Sequence, residues 1–174
     1  ETNTTLSSGS CTEASAKIGA RMKAAGFSDS QLTFFSVPEH PKDGGLVAIL
    51  PGSDAKARPI LLLAHQGVVP IAAGAERDWQ VDPFAGEIRD GFVWGRGAWD
   101  DKANLFAIFE AIETLAASGF RPRQTLYIAS GHDEEVGGEQ GAKAIAALLQ
   151  SRDVRLDFVV DEGLLITEGI LKGL

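Results

Sequence analysis

The run ILLLAH at residues 60–65 follows Pro59 with five apolar residues in succession and stops at a histidine. Apolar residues without alternation describe a strand covered on both faces, as at the centre of an α/β sheet. The run is far short of the roughly 18 to 20 residues that a membrane span needs. Two further segments of the same kind lie downstream, residues 123–130 ending in LYIAS and residues 156–160, LDFVV. Between them, residues 103–117 and 138–149 carry the Ala, Leu, Ile and Phe spacing of helices, the second expected to open at Gly138. Upstream, Ser10 and Glu13 form a capping-box pattern, Ile18 and Met22 share a face with Ala14 and Ala25, and Gly26 supplies a stop. Strands are expected over residues 32–37 (LTFFSV) and 45–50 (GLVAIL), and a small hairpin over 86–94 around Asp90-Gly91. The order α–β–β–β–loop–α–β–α–β predicts an α/β protein, a three-layer α/β/α sandwich with a mixed, mostly parallel central sheet and buried strands throughout its parallel part.

Length and charge restrict what such a sheet can serve. The 174 residues suit one core, and 24 acidic against 16 basic residues give a net charge of −8 with no Lys/Arg cluster. Phosphate backbones need concentrated positive charge, so a nucleic-acid surface is set aside, as is a membrane partner. Residues 1–10 carry neither the basic nor the apolar region of a secretory signal and assign no compartment. The single cysteine, Cys11, has no internal disulfide partner and receives no catalytic role.

In open α/β sheets, ligands bind beyond the carboxyl ends of the strands. Three strands here end in metal-type donors: His65 after ILLLA, Asp133-Glu134-Glu135 after TLYIASG, and Asp161-Glu162 after FVV. A fourth set, Asp100-Asp101, precedes a helix in GRGAWDDK. Singly, these are a hydrogen-bonded histidine and helix-capping carboxylates. Together, they form the mix of imidazole and carboxylate that holds divalent ions such as zinc.

The blocks AHQGVVP (64–70), DPFAGEIRDGFVWGRGAWDDK (82–102), DEEVGG (133–138) and VVDEG (159–163), in that order, resemble the signature blocks of the aminoacylase/carboxypeptidase family of zinc metallopeptidases. The resemblance is greatest to its carboxypeptidase S-like branch and to peptidase-M twenty-domain N-acyl-amino-acid hydrolases, and it covers the N-terminal part of the catalytic domain. It implies a zinc exopeptidase fold of the phosphorylase/hydrolase type. It also implies two Zn2+ ions, replaceable by Co2+ or Mn2+: His65 and Asp161 on one, Glu135 on the other, and Asp100 bridging both through a cis Asp100–Asp101 peptide. Glu134 would be the general base and acid for cleaving an amide bond next to a free carboxylate in a small peptide or N-acyl-amino acid. Glu162 is the alternative to Asp161, because adjacent side chains leaving a strand point to opposite faces. Asp101 and Asp133 fit hydrogen-bonding or capping duties, Trp79 and Trp99 packing, His132 a structural place and His40 a solvent-facing loop.

Two departures from the family pattern bear on function. The family has Asp where this chain has Gly67, and that Asp orients the metal-binding histidine; without it His65 is expected to be unoriented. The family also continues past the equivalent of Leu174 through a dimerisation domain to a final histidine ligand. This implies a half-built second site and association with another copy or with the remaining part of the protein. A non-catalytic relic or incomplete fragment is therefore the alternative to an amidohydrolase.

Overall fold

The computed structural model describes residues 2–163. Helix α1 (Cys11–Ala24) starts where the Ser10 hydroxyl accepts the Glu13 N–H at 3.1 Å, while the Glu13 carboxylate turns outward to Lys17 at 2.8 Å instead of closing a reciprocal box. Strands β1 (Leu32–Val37) and β2 (His40–Leu50) follow, then β3 (Ile60–Leu63), the hairpin β4 (Glu87–Arg89) and β5 (Phe92–Trp94), helix α2 (Lys102–Ala117), β6 (Leu126–Ser130), helix α3 (Ala142–Ser151) and β7 (Phe158–Val160).

Five strands form one sheet in the order β1-β2-β6-β3-β7. It is mixed: β1, β2 and β6 pair antiparallel, whereas β6, β3 and β7 pair parallel. The parallel half carries the run ILLL, with Leu61 opposite Tyr127 on one side and Val159 on the other.

Alternation along the strands sorts side chains into two cores. Leu46, Ala48 and Ile128 meet Ile18 and Met22 of α1 and Leu105, Phe109 and Ile112 of α2 on one face. Val47, Leu61 and Ala129 meet Ile145 and Leu149 of α3 on the other. Helices on both faces make the three layers. Across the first face, the Arg21 guanidinium of α1 grips the Glu113 carboxylate of α2 through two bonds of 2.7 Å and also reaches Glu110.

Three expectations are corrected. Strand β2 starts at His40 rather than at residue 45, because Gly44 and Gly45 pair with Ser36 and Phe35 and so lie inside the ladder. His40 is thus a strand residue, although exposed as expected. Helix α3 opens at Ala142 rather than Gly138, since Gly137 and Gly138 take φ of 106° and 68°, which no helix accommodates. Strand β7 is not buried: Phe158, Val159 and Val160 are 50, 48 and 46% exposed, because among the described residues only β3 pairs with it. The Asp90-Gly91 turn is as expected, with φ of 55° and 81° at its two central residues.

Candidate metal centre

The parallel strands β3, β6 and β7 release their chains at the same end of the sheet, and His65, the 133–135 segment and the 161–162 pair emerge there. His65 is 5% exposed and continues directly from β3. Its backbone N–H donates to Asp101 Oδ2 at 3.1 Å, and its ring Nδ1 lies 2.9 Å from the Gly67 carbonyl oxygen. The outward Nε2 faces carboxylates: Asp100 Oδ1 at 3.0 Å, Glu162 Oε1 at 3.5 Å and Glu134 Oε2 at 3.6 Å. Two donor groups share the imidazole, His65 with Glu134 and Glu162, and His65 with Asp100 and Glu135, the ligand atoms of each lying within 4.8 Å of one another.

Two buried carboxylates beside the site, Asp101 and Asp133, are held by local devices. Asp101 stands at the N-terminus of α2 and is 3% exposed; instead of capping that helix, it ties the helix start to the end of β3 through His65. The Asp100–Asp101 peptide is cis, as the resemblance implies. Asp133 accepts the N–H groups of Gln140 and Gly141, each at 2.7 Å, and its own carbonyl accepts those of Val136 and Gly138. The turn carrying Glu134 and Glu135 is thereby closed on itself at both ends.

The electrostatics are those of crowded anions around one ring. Burial works against charging His65, but the Gly67 carbonyl and the Glu162, Asp101 and Glu134 carboxylates outweigh it and hold the imidazole above its ordinary pKa. Burial, with Asp100 next, raises the Glu135 carboxyl, which His65 and, more weakly, the Arg96 cation partly offset. Asp101 and Glu162 are likewise raised, burial first. A buried imidazole presenting one nitrogen to exposed carboxylates is the donor chemistry of a divalent-cation site, and an ion there would offset the repulsion. The residues present therefore fit a divalent cation.

Of the sequence-predicted residues, His65, Asp100, Glu134 and Glu135 come together. Asp161 lies outside both groups; its Oδ1 accepts the Glu162 N–H at 2.9 Å, and the Glu162 carboxylate takes the place facing His65. The expected unoriented ring is overturned by the Gly67 carbonyl contact. Arg96 is the residue that sequence reasoning passed over: it lies over the Trp79 ring at 5.6 Å and lends positive charge to Glu135. In the sequence it stands in GRG between Arg89 and Lys102, and no spacing sets it apart from those cations. Trp99 is 76% exposed and packs no core, whereas His132 is 1% exposed, in keeping with a structural place.

Residues 61–173 match the family described as Peptidase family M20/M25/M40. The chain belongs to peptidase family M20/M25/M40. Among M20 relatives, it is 49% identical over 123 residues to the N-fatty-acyl-amino acid synthase/hydrolase PM20D1 of Mus musculus, a match covering 71% of this chain and 24% of that protein. It is 40% identical over 149 residues to carboxypeptidase S of Saccharomyces cerevisiae, covering 80% of this chain and 25% of the relative. The chain thus spans about a quarter of the length of these curated M20 relatives. The fold is shared with an M20 family metallo-carboxypeptidase from Sulfolobus solfataricus, at a TM-score of 0.71 and 19% identity over 88% of this chain and 32% of that one. Human carnosine dipeptidase 1 gives 0.66 and 20% over 88% of this chain and 33% of that one.

Proposed function

We propose that this M20 chain carries the metal-binding and proton-transferring part of an amidohydrolase that cleaves an amide or peptide bond adjacent to a free carboxylate. The observation that supports it most directly is the pair of donor groups sharing His65, with Glu134 among them. In this reading, His65 Nε2, Asp100, Glu135 and a carboxylate of the Asp161-Glu162 pair would hold Zn2+, and Co2+ or Mn2+ would suit the same donors. Bound ions of this kind acidify water and polarise an amide carbonyl.

The chain's own residues do the rest. Glu134 uses a carboxylate oxygen to take the proton from the attacking water and then delivers it to the departing amine nitrogen. Asp133 keeps the turn bearing Glu134 and Glu135 fixed through its bonds to Gln140 and Gly141. Asp101 holds the His65 backbone against the start of α2. The names of the similar proteins, a hydrolase of N-fatty-acyl-amino acids and a carboxypeptidase, support substrates with a free carboxylate beside the scissile amide.

The test is calorimetric titration of the chain with zinc, alongside hydrolysis of N-acyl-amino acids and dipeptides. Any turnover requires the metal, and Glu134→Gln lowers it by about 10²-fold or more, the usual scale of a general base, while zinc still binds. Absence of zinc binding, or turnover indifferent to Glu134→Gln, rejects the reading.

A further inference from the structure

The geometry points to the main-chain carbonyl of Gly67 as the group that positions His65 for metal, a task that the backbone performs here without a carboxylate side chain. The inference rests on the reading of His65 as a ligand through Nε2. A carbonyl oxygen only accepts, so the 2.9 Å approach of Gly67 O to Nδ1 is a hydrogen bond only when Nδ1 carries the proton. Nε2 faces the carboxylates of Asp100, Glu134 and Glu162, which also only accept, with Asp100 Oδ1 within hydrogen-bond distance at 3.0 Å, so a cation taking the place of the Nε2 proton would leave the Nδ1 proton on the Gly67 carbonyl.

The carbonyl is itself fixed from both sides. On the N-terminal side, the Gln66 N–H donates to Gly131 O at 3.0 Å, and the Gln66 side-chain amide donates to Ser15 Oγ at 2.8 Å and Gly44 O at 2.9 Å. On the C-terminal side, the Val68 N–H donates to Thr4 O at 3.3 Å, and Val68 is 4% exposed. Gly67 is pressed against the next strand end. A Cβ built on it would overlap the His132 carbonyl oxygen and stand 2.7 Å from the carbonyl carbon, so a side chain at 67 must displace the backbone of the segments that follow β3 and β6, where the ligands emerge.

An aspartate at 67 would therefore not improve this site. It would break the close contact with His132, and it would add a negative charge to a cluster that already holds Asp100, Asp101, Glu134, Glu135 and Glu162 around one ring. The neutral carbonyl supplies orientation without that charge.

The chain has only three histidines, so its imidazole nitrogens can be assigned one by one by nuclear magnetic resonance on ¹⁵N-histidine-labelled protein. In the zinc-loaded chain, we expect metal on His65 Nε2 and a slowly exchanging proton on Nδ1, coupled across the hydrogen bond to the ¹³C-labelled Gly67 carbonyl. Gly67→Ala should weaken zinc binding by about 10–100-fold, the scale on which outer partners of a ligating histidine act. Gly67→Asp should not restore it. Zinc on Nδ1, a fast-exchanging Nδ1 proton in wild-type chain, or Gly67→Asp binding zinc more tightly than wild type would each overturn the inference. If the Gly67 variants do not fold, the wild-type spectrum alone decides. Zinc binding that leaves the His65 resonances unmoved would instead remove the ligand reading on which both proposals stand.

Discussion

Around the outward nitrogen of His65, the carboxylates differ in where their backbones come from, and single replacements can separate their roles. Glu162 faces the ring at 3.5 Å, whereas Asp161 spends one oxygen on the Glu162 N–H. Glu162→Gln is therefore expected to weaken zinc binding by tenfold or more, on the order of 10–100-fold, and Asp161→Asn to weaken it less. Titration of the two variants side by side checks this, and the reverse ranking would return the ligand role to Asp161. The family resemblance implied Asp161 as the ligand with Glu162 as the alternative, since adjacent residues of a strand point apart. That choice depends on how the chain turns after Val160, beyond the last ladder pair of Leu62 with Val160. Cys11, given no catalytic role from the sequence, lies in the core. It is 1% exposed, and burial, with Asp43 next, pushes its thiol up to about 12. A folded pKa above the unfolded one means that the native state holds the proton longer. The resulting stability is intact below the thiol's ordinary value of 9.0 and lost as pH rises towards about 12. Ellman's reagent at mildly alkaline pH should leave the native thiol unlabelled and react fully in urea; rapid native labelling would contradict the buried thiol.

Secondary-structure elements were legible where hydrophobic period and capping chemistry agreed, as in ILLL, the Asp90-Gly91 hairpin and α1 with its Ser10 cap. They were misread where one residue served two purposes. Gly44-Gly45 looked like punctuation and lies within a ladder, and Gly138 looked like a helix opening but belongs to a left-handed turn. The missing signal was Asp133, whose carboxylate reaches seven and eight residues along the chain to hold Gln140 and Gly141 just before α3. Such a bond depends on how the intervening turn closes, not on any short motif. Asp133 is 6% exposed, so Asp133→Ala leaves two N–H groups without their acceptor in a nearly closed site. The expected loss is about 1–3 kcal/mol, with Asp133→Asn retaining part of it through its amide oxygen. Urea denaturation measures the difference. Because the same bonds hold the turn of Glu134 and Glu135, zinc affinity should fall in parallel; a destabilised variant with unchanged zinc binding would show that the turn is held by something else.

At the scale of the molecule, the site is a junction. Residues 65, 100, 134–135 and 162 come from four stretches far apart in the chain, brought together because β3 and its two parallel neighbours end side by side and α2 starts beside them. Sequence order alone could predict that convergence, since parallel strands deliver their loops to one end. It could not supply the cost of assembling those carboxylates, which exists only once they are neighbours. Without cations, the folded chain must bear the mutual repulsion of Asp100, Glu134, Glu135 and Glu162, relieved by His65 and Arg96. The unfolded chain spreads them out and escapes it. A divalent ion that binds only the folded arrangement should therefore stabilise the protein by mass action, by about 2.7 kcal/mol at a free concentration one hundred times its dissociation constant. For a chain of this size, each kcal/mol moves the melting temperature by roughly 2–4 °C, so zinc at that level should raise it by about 5–11 °C, with chelator restoring the original value. His65 belongs to both donor groups, so His65→Ala should abolish most of the rise, whereas a surface change such as Lys143→Ala, on an exposed pair with Glu139, should leave it intact. Calorimetric melting of the three proteins with and without zinc tests the argument. An equal zinc-induced shift in wild type and His65→Ala would mean that the ion binds elsewhere and that the convergence of the four stretches is not what it reads.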